Sequence, residues 1–342
     1  MRFREIAAFD VVHAELEWPW IAFAAGGDRL AYASSAKTIA TRSLEGEHVV
    51  EGPSFTLPPD LELESGPSPS AGAGPRRAGL TKFSLAKDGA LLAVAGIAGD
   101  ASMLTTLDAS GERKRARIDV LLGEGHDMHA ITFDRTGGRL WISAESATET
   151  VIALVDVVSL ELVDVLRSAP FPRPALHELH VHPQDDAILL LAACGDEGSF
   201  ARVAGFAGDA VSAVPSALDS GGIAAGFVGF SADAMRVHLA EADELRTHAW
   251  PTLHELSSVP FADDFVSSYS GAVLGYDILV DGEDAETRDD EVMRFDVSAI
   301  RGTLLPKPAP SGMWAGRLGA DAIVTVQAKG DPVRARILRL AK

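Results

Sequence analysis

One pattern recurs along this chain and restricts what it can fold into: a short apolar strand ending in Phe or Val, a turn rich in Gly and Asp, then a second strand. It reads Phe23-Ala-Ala-Gly-Gly-Asp-Arg29-Leu-Ala-Tyr-Ala-Ser34, then Phe83-Ser-Leu-Ala-Lys-Asp-Gly-Ala-Leu-Leu-Ala-Val94. It returns as Phe133-Asp-Arg-Thr-Gly-Gly-Arg139-Leu-Trp-Ile-Ser143, Val181-His-Pro-Gln-Asp-Asp-Ala187-Ile-Leu-Leu190 and Phe230-Ser-Ala-Asp-Ala-Met-Arg236-Val-His-Leu239. Weaker copies place turns near Ser270-Gly-Ala-Val-Leu-Gly275 and Gly316-Arg-Leu-Gly-Ala-Asp321, making seven units. Anchored at the last residue of each first strand, the units start from 23, 83, 133, 181, 230, about 270 and about 316. The differences, 60, 50, 48, 49, about 40 and about 46, centre on the length of a four-stranded propeller blade.

Most units continue into a third and a fourth strand. In unit three, Val151-Ile-Ala-Leu-Val-Asp156 is followed by a turn and by Glu161-Leu-Val-Asp-Val-Leu166. Such runs, separated by turn chemistry, predict an all-β fold, and no segment sustains the 3.6-residue apolar period that a helix needs. The expectation is a single domain over residues 1–342, a seven-bladed β-propeller of four-stranded antiparallel blades. The last unit supplies only three clear strands, ending with Arg334-Ala-Arg-Ile-Leu-Arg-Leu340, while an orphan strand, Ile6-Ala-Ala-Phe-Asp-Val-Val12, precedes the first. Pairing the two would complete the seventh blade and leave no open sheet edge.

The first interval exceeds the others, and the excess falls in residues 51–79, with Pro58-Pro59, the run Ser65-Gly-Pro-Ser-Pro-Ser-Ala-Gly-Ala-Gly-Pro75 and Arg76-Arg77. Its apolar content is too low to offset the entropy of ordering it, so it reads as a flexible surface insertion. It serves either as a linker between blades one and two or as a partner-binding or substrate-gating loop. Elsewhere, 30 basic against 49 acidic residues give a formal charge of −19, a field that repels phosphate backbones and anionic lipid. Nucleic acid and membrane are therefore not expected as partners; a protein with a basic surface is. The N-terminus lacks a signal-peptide apolar core, and the longest uncharged apolar run, Ala187 to Cys194, is far too short to span a bilayer. The protein is expected to be soluble, cytoplasmic and monomeric. Cys194 is the only cysteine, which excludes an intramolecular disulfide and a multi-cysteine zinc site, and its apolar setting reads as a buried, inert thiol.

The pattern Phe-x-x-x-Gly-Gly-Arg-Leu-Trp-Ile-Ser and the run Val181-His-Pro-Gln-Asp-Asp-Ala-Ile-Leu-Leu-Leu191 resemble blade cores of the WD40-like and YVTN-like β-propeller superfamily. Gly125-His126, with Val155-Asp156 ending the third strand of the same unit, is similar to the Gly-His and Trp-Asp pair of WD40 repeats. The resemblance covers nearly the whole chain and implies the architecture, not the activity, because propellers host scaffolds, lactonases, lyases and electron carriers alike.

In propellers the first strand of each blade lines the central channel, so residues just upstream of the anchors should meet at one mouth. Counting four back gives Pro19, Gly79, His129, His177, Gly226, Val266 and Gly312. His129 and His177 fall at equivalent places in adjacent blades, with Asp127 and Glu178 beside them and His126, His180, Arg77, Glu17 and Asp264 at nearby offsets. Two readings follow. The imidazoles could donate to a neighbouring blade's carbonyls and tie blades together. Alternatively His129 and His177, with Asp127 and Glu178, could hold a divalent metal or act as an acid–base pair, a loose similarity to lactonase and streptogramin-lyase propellers, whose sites lie at that mouth. His182, before Pro183, reads as turn or surface. The connection in blade six, Asp281-Gly-Glu-Asp-Ala-Glu-Thr-Arg-Asp-Asp-Glu291, reads as a solvated loop, with Asp281, Glu283 and Asp284 as alternative calcium ligands although the calcium-loop spacing is missing. No nucleophile elbow, phosphate loop or dinucleotide fingerprint is found. The leading expectation is a non-enzymatic platform for protein–protein interaction that needs no cofactor. A metal-assisted lactonase or lyase is the alternative, and a small-molecule binder without turnover comes third.

Overall fold

The computed structural model of the chain describes residues 2–11, 21–63, 83–172, 175–194, 198–218, 225–287, 289–296, 302–305, 313–326 and 333–341. Seven antiparallel sheets form the seven blades of a β-propeller. Within blades one to six the strands lie in chain order from the channel outward, and in blade seven the first strand of the chain lies outermost. The inner strands are Ile21–Phe23, Phe83–Leu85, Asp127–Phe133, Leu176–Val181, Gly226–Phe230, Phe265–Leu274 and Met313–Leu318. In blade seven the N-terminal strand Arg2–Val11 pairs with the C-terminal strand Val333–Ala341, from Arg2 opposite Ala341 to Val11 opposite Val333. This is the closure that the two orphan ends predicted.

Each blade packs on its neighbours with both faces, so alternate residues of one strand serve different cores. Along Arg139–Glu145, Leu140, Ile142 and Ala144 face blade two, whereas Trp141 faces blade four. Among the described residues, one buried apolar cluster fills each of the seven spaces between blades. Double-sided burial explains why the strands read as continuous apolar runs such as Leu189-Leu-Leu-Ala-Ala-Cys194. Cys194 itself is buried. A single short helix, Ile118–Leu122, is present among the described residues, and no helix there is long and apolar enough to cross a membrane.

The inner hairpin turns share one geometry in blades one to five. Residue one of each five-residue turn bonds across it, as in Ala24 N to Arg29 O, Ala86 N to Leu91 O and Asp134 N to Arg139 O. The fourth residue is left-handed at Gly27, Gly89 and Gly137, with φ of 70°, 76° and 79°, where a side chain would be strained. Three anchors lie elsewhere than expected. Blade two ends its inner strand at Leu85 rather than Phe83, and blades six and seven end theirs at Leu274 and Leu318 rather than near 270 and 316.

Two loops expected from composition are partly ordered strands. Residues 51–56 belong to the outer strand of blade one, His48–Thr56. Glu62–Leu63 and Phe83–Leu85 lie in line along the second strand of blade two, with Leu63 opposite Gly96 and Phe83 opposite Val94. The rest of the expected insertion, residues 64–79, lies outside the described residues. In blade six the acidic connection is a β-hairpin, with Asp277–Asp284 paired to Asp290–Asp296. The alternating pattern that pairs these strands outweighs the charge density that suggested a loop. Asp281 is buried, and the Asp284 carboxylate accepts from the N–H groups of Glu286 and Thr287, closing the turn.

Candidate functional site

The channel has two ends of different character. At the end where inner strands begin, His129 is the bulged residue between Met128, opposite Ala144, and Ala130, opposite Ser143. The bulge lets its ring stack on His177 of blade four, with centroids 4.3 Å apart and planes 26° from parallel. His177 is fully buried, with the edge of Phe171 at 5.5 Å and a Glu145 carboxylate oxygen 3.7 Å from Nε2, beyond hydrogen-bond length. Neither ring nitrogen has a hydrogen-bond partner among the described residues. Burial drives the His177 pKa well below the usual 6.5, and the charges of His129 and Arg202 push it the same way, so the ring is neutral.

His177 therefore sits inside the interface of blades three and four rather than open at a mouth. Glu178 lies on the opposite face of the same strand, its carboxylate 3.1 Å from His180 Nε2. Asp127 is exposed at the start of its strand, and so is Asp264, while Gly226 is buried. His126 packs its Nε2 3.2 Å from Glu149, a carboxylate that also receives Arg167. Pro19, Glu17, Arg77, Gly79 and Gly312 lie outside the described residues. No group of three or more His, Cys, Asp or Glu is placed to hold a metal ion among the described residues, either here or around Asp281, Glu283 and Asp284.

A histidine hydrogen bond between blades, of the kind expected at His129 and His177, is seen at His182. This ring is buried in the inner turn of blade four, where Nδ1 accepts the Asp185 N–H at 2.8 Å. That acceptance places the proton on Nε2, which donates to the Ala234 carbonyl of blade five at 2.8 Å. The ring also stacks on Trp250, with centroids 4.5 Å apart and planes 3° from parallel.

At the other end, where inner strands run into their turns, the channel widens into a cavity of 390 Å³ lined by residues of all seven blades. Phe23, Phe227 and Phe230 supply rings, Ser84, Thr132 and Ser270 hydroxyls, and His180 an imidazole stacked on Phe227 at 3.7 Å. Arg317, from blade seven, is the one formally charged residue among the described lining. Sequence reasoning passed over it because the seventh repeat is weak and the upstream end was favoured. The signal was present: Arg317 is the only Lys or Arg in an inner strand among the described residues.

No protein-family model matches the chain, and no curated protein matches it in sequence. Solved structures do match, 782 chains among them, so the fold is common. One, described as the structure of the Dos1 propeller, aligns with a TM-score of 0.56 at 14% identity, covering 94% of this chain and 78% of that one. Identity that low carries the architecture and not the activity.

Proposed function

We propose that this propeller is a non-enzymatic binding platform that takes a protein partner with a basic surface on the face where the inner turns emerge. The observation that carries this reading is the pairing of acidic and apolar side chains on that face. Aspartates occupy or border every inner turn, and Asp28, Asp88, Asp185 and Asp233 are exposed. They suit the turns in the first place: Asp88 accepts from Ala90 N–H and Asp233 from Met235 N–H. Collected by the ring onto one face, they also make an acidic field, to which Glu47 and Asp209 in the outer turns add, against Lys87, Arg135 and Arg236; Asp108 of the blade-two outer turn is paired with Arg113. Arg135 is already paired with Asp186.

Within that field the adjacent turns of blades five and six project two large apolar side chains, Met235 at 60% exposure and Tyr276 at 80%. A rigid turn bearing Met or Tyr loses little entropy on docking, which is the character of an interface anchor. The test is capture from native lysate by the immobilised wild type and by the double variant Met235→Asp, Tyr276→Asp, which keeps the acidity and removes the anchors. A basic protein held by the wild type at low salt, released as salt rises and lost from the variant is the expected result. Equal capture by both baits would overturn the assignment of this face.

A further inference from the structure

The cavity among the inner turns has a volume, 390 Å³, in the range of small-molecule sites. Its electrostatics run against those of the whole protein. A chain with 49 acidic and 30 basic residues has here, among the described lining, one formally charged residue, and it is a cation.

Arg317 Nη1 donates to the Val273 carbonyl of blade six at 3.3 Å. Its Nη2 lies over the inner turn of blade one, 3.3 Å from where a Cβ on Gly27 would stand. The guanidinium thus spans from blade six to blade one. Of its five N–H donors only this one bond is made to the protein among the described residues, and no carboxylate pairs with it there. Nearby strands lower its pKa by partial desolvation, while the side chain is exposed to the channel solvent. The remaining donors face the channel solvent, and a bound carboxylate would supply both charge and two acceptors in the matching planar geometry. Beside it, the Phe23 ring approaches Gly316 so closely that a Cβ there would meet Cε2 at 2.7 Å, so glycine is what lets this aromatic wall stand next to the cation.

We propose that the cavity binds a small aryl carboxylate, its carboxylate on Arg317 and its ring against the Phe23 side of the wall. One positive charge suits a monoanion better than phosphate, and the phenyl rings suit an aromatic body. Phenylacetate is the probe, with phenylacetamide as its neutral isostere and inorganic phosphate as an anion without a ring. Titration of the full chain by calorimetry and by saturation-transfer NMR should show phenylacetate binding at least about tenfold tighter than phenylacetamide, the size of one good charge-assisted pair. Arg317→Met should abolish the preference and Arg317→Lys should keep part of it, each checked against the wild-type melting curve. Should Arg317→Met fail to fold, the wild-type comparison of acid with amide, together with Arg317→Lys, still decides the matter. Equal affinity for acid and amide, undiminished phenylacetate binding by Arg317→Met, or phosphate binding as tight as phenylacetate would each overturn the proposal, as would no phenylacetate binding at tens of millimolar.

Discussion

Removing residues 1–12 is expected to abolish cooperative unfolding. The strand Arg2–Val11 carries Phe9 and Val11 into the space between blades seven and one, where both are buried. Phe9 packs on Tyr32 with centroids 4.3 Å apart and lies under the Arg42 guanidinium at 5.0 Å. Burial of two such side chains contributes about 1.5–3 kcal/mol each. The deletion also exposes one edge of Val333–Ala341, leaving its ladder groups unpaired and opening a template for aggregation. Together these losses approach the roughly 5–15 kcal/mol by which a typical domain is stable. The truncated chain should show no sharp thermal transition by circular dichroism and should elute with aggregates. A sharp transition within a few degrees of full length would contradict the closure.

Acidification should be nearly as damaging, and earlier than carboxylate titration alone would make it. His177, His238 and His248 are all held below the usual 6.5 chiefly by burial, His238 to about 4. His238 Nδ1 lies against Thr247 Oγ1 and His248 Nδ1 against the Leu253 carbonyl, while the Nε2 of each lacks a partner among the described residues. Above pH 6.5 these rings are neutral both folded and unfolded, and they cost nothing. Below it the unfolded chain takes up protons that the folded rings refuse, so stability falls with pH at about 1.4 kcal/mol per pH unit for each ring fully in that window. For His238 alone the loss accumulates to about 3 kcal/mol by pH 4. Glu241, raised by burial, opposes this as a single group. Relief of the net −19 charge also opposes it, so melting curves belong at high ionic strength, where that repulsion is screened. The melting temperature should fall steadily from pH 7 to pH 4.5, and His177→Phe should flatten the fall. A constant melting temperature over that range would show that these rings are not buried neutral.

The architecture was legible because propeller burial is double-sided and periodic. Strands such as Ala187–Ala193 announce themselves by composition, and turns such as Asp134–Gly138 by chemistry. The seventh blade could be inferred from two unpaired strands at opposite ends of the chain. Position along the channel was less legible. His129 and His177 stood out by residue type at matching offsets, but an offset does not say whether a side chain enters the channel or the seam between blades. The two-residue alternation of Leu176–Val181 sent the His177 ring into the seam, and the bulge at His129 stacks a half-buried ring on it. His182 and Arg317 carry more of the geometry at the turn end. They were overlooked because proline beside the first suggested surface and because the repeat around the second is weak.

Every placement on the turn face, from Met235 and Tyr276 to Arg317, depends on the ring being shut by the two chain ends within one molecule. Ala8 stands opposite Arg336 in that seam. Residues opposed in an antiparallel pair have Cα atoms about 4.5–5.5 Å apart, within the reach of a disulfide. Cys194 is buried and will not compete. The variant Ala8→Cys, Arg336→Cys should oxidise to a monomer that is cross-linked internally and melts above its reduced form. Cysteines that stay reduced, or that link one chain to another, would contradict the closed ring.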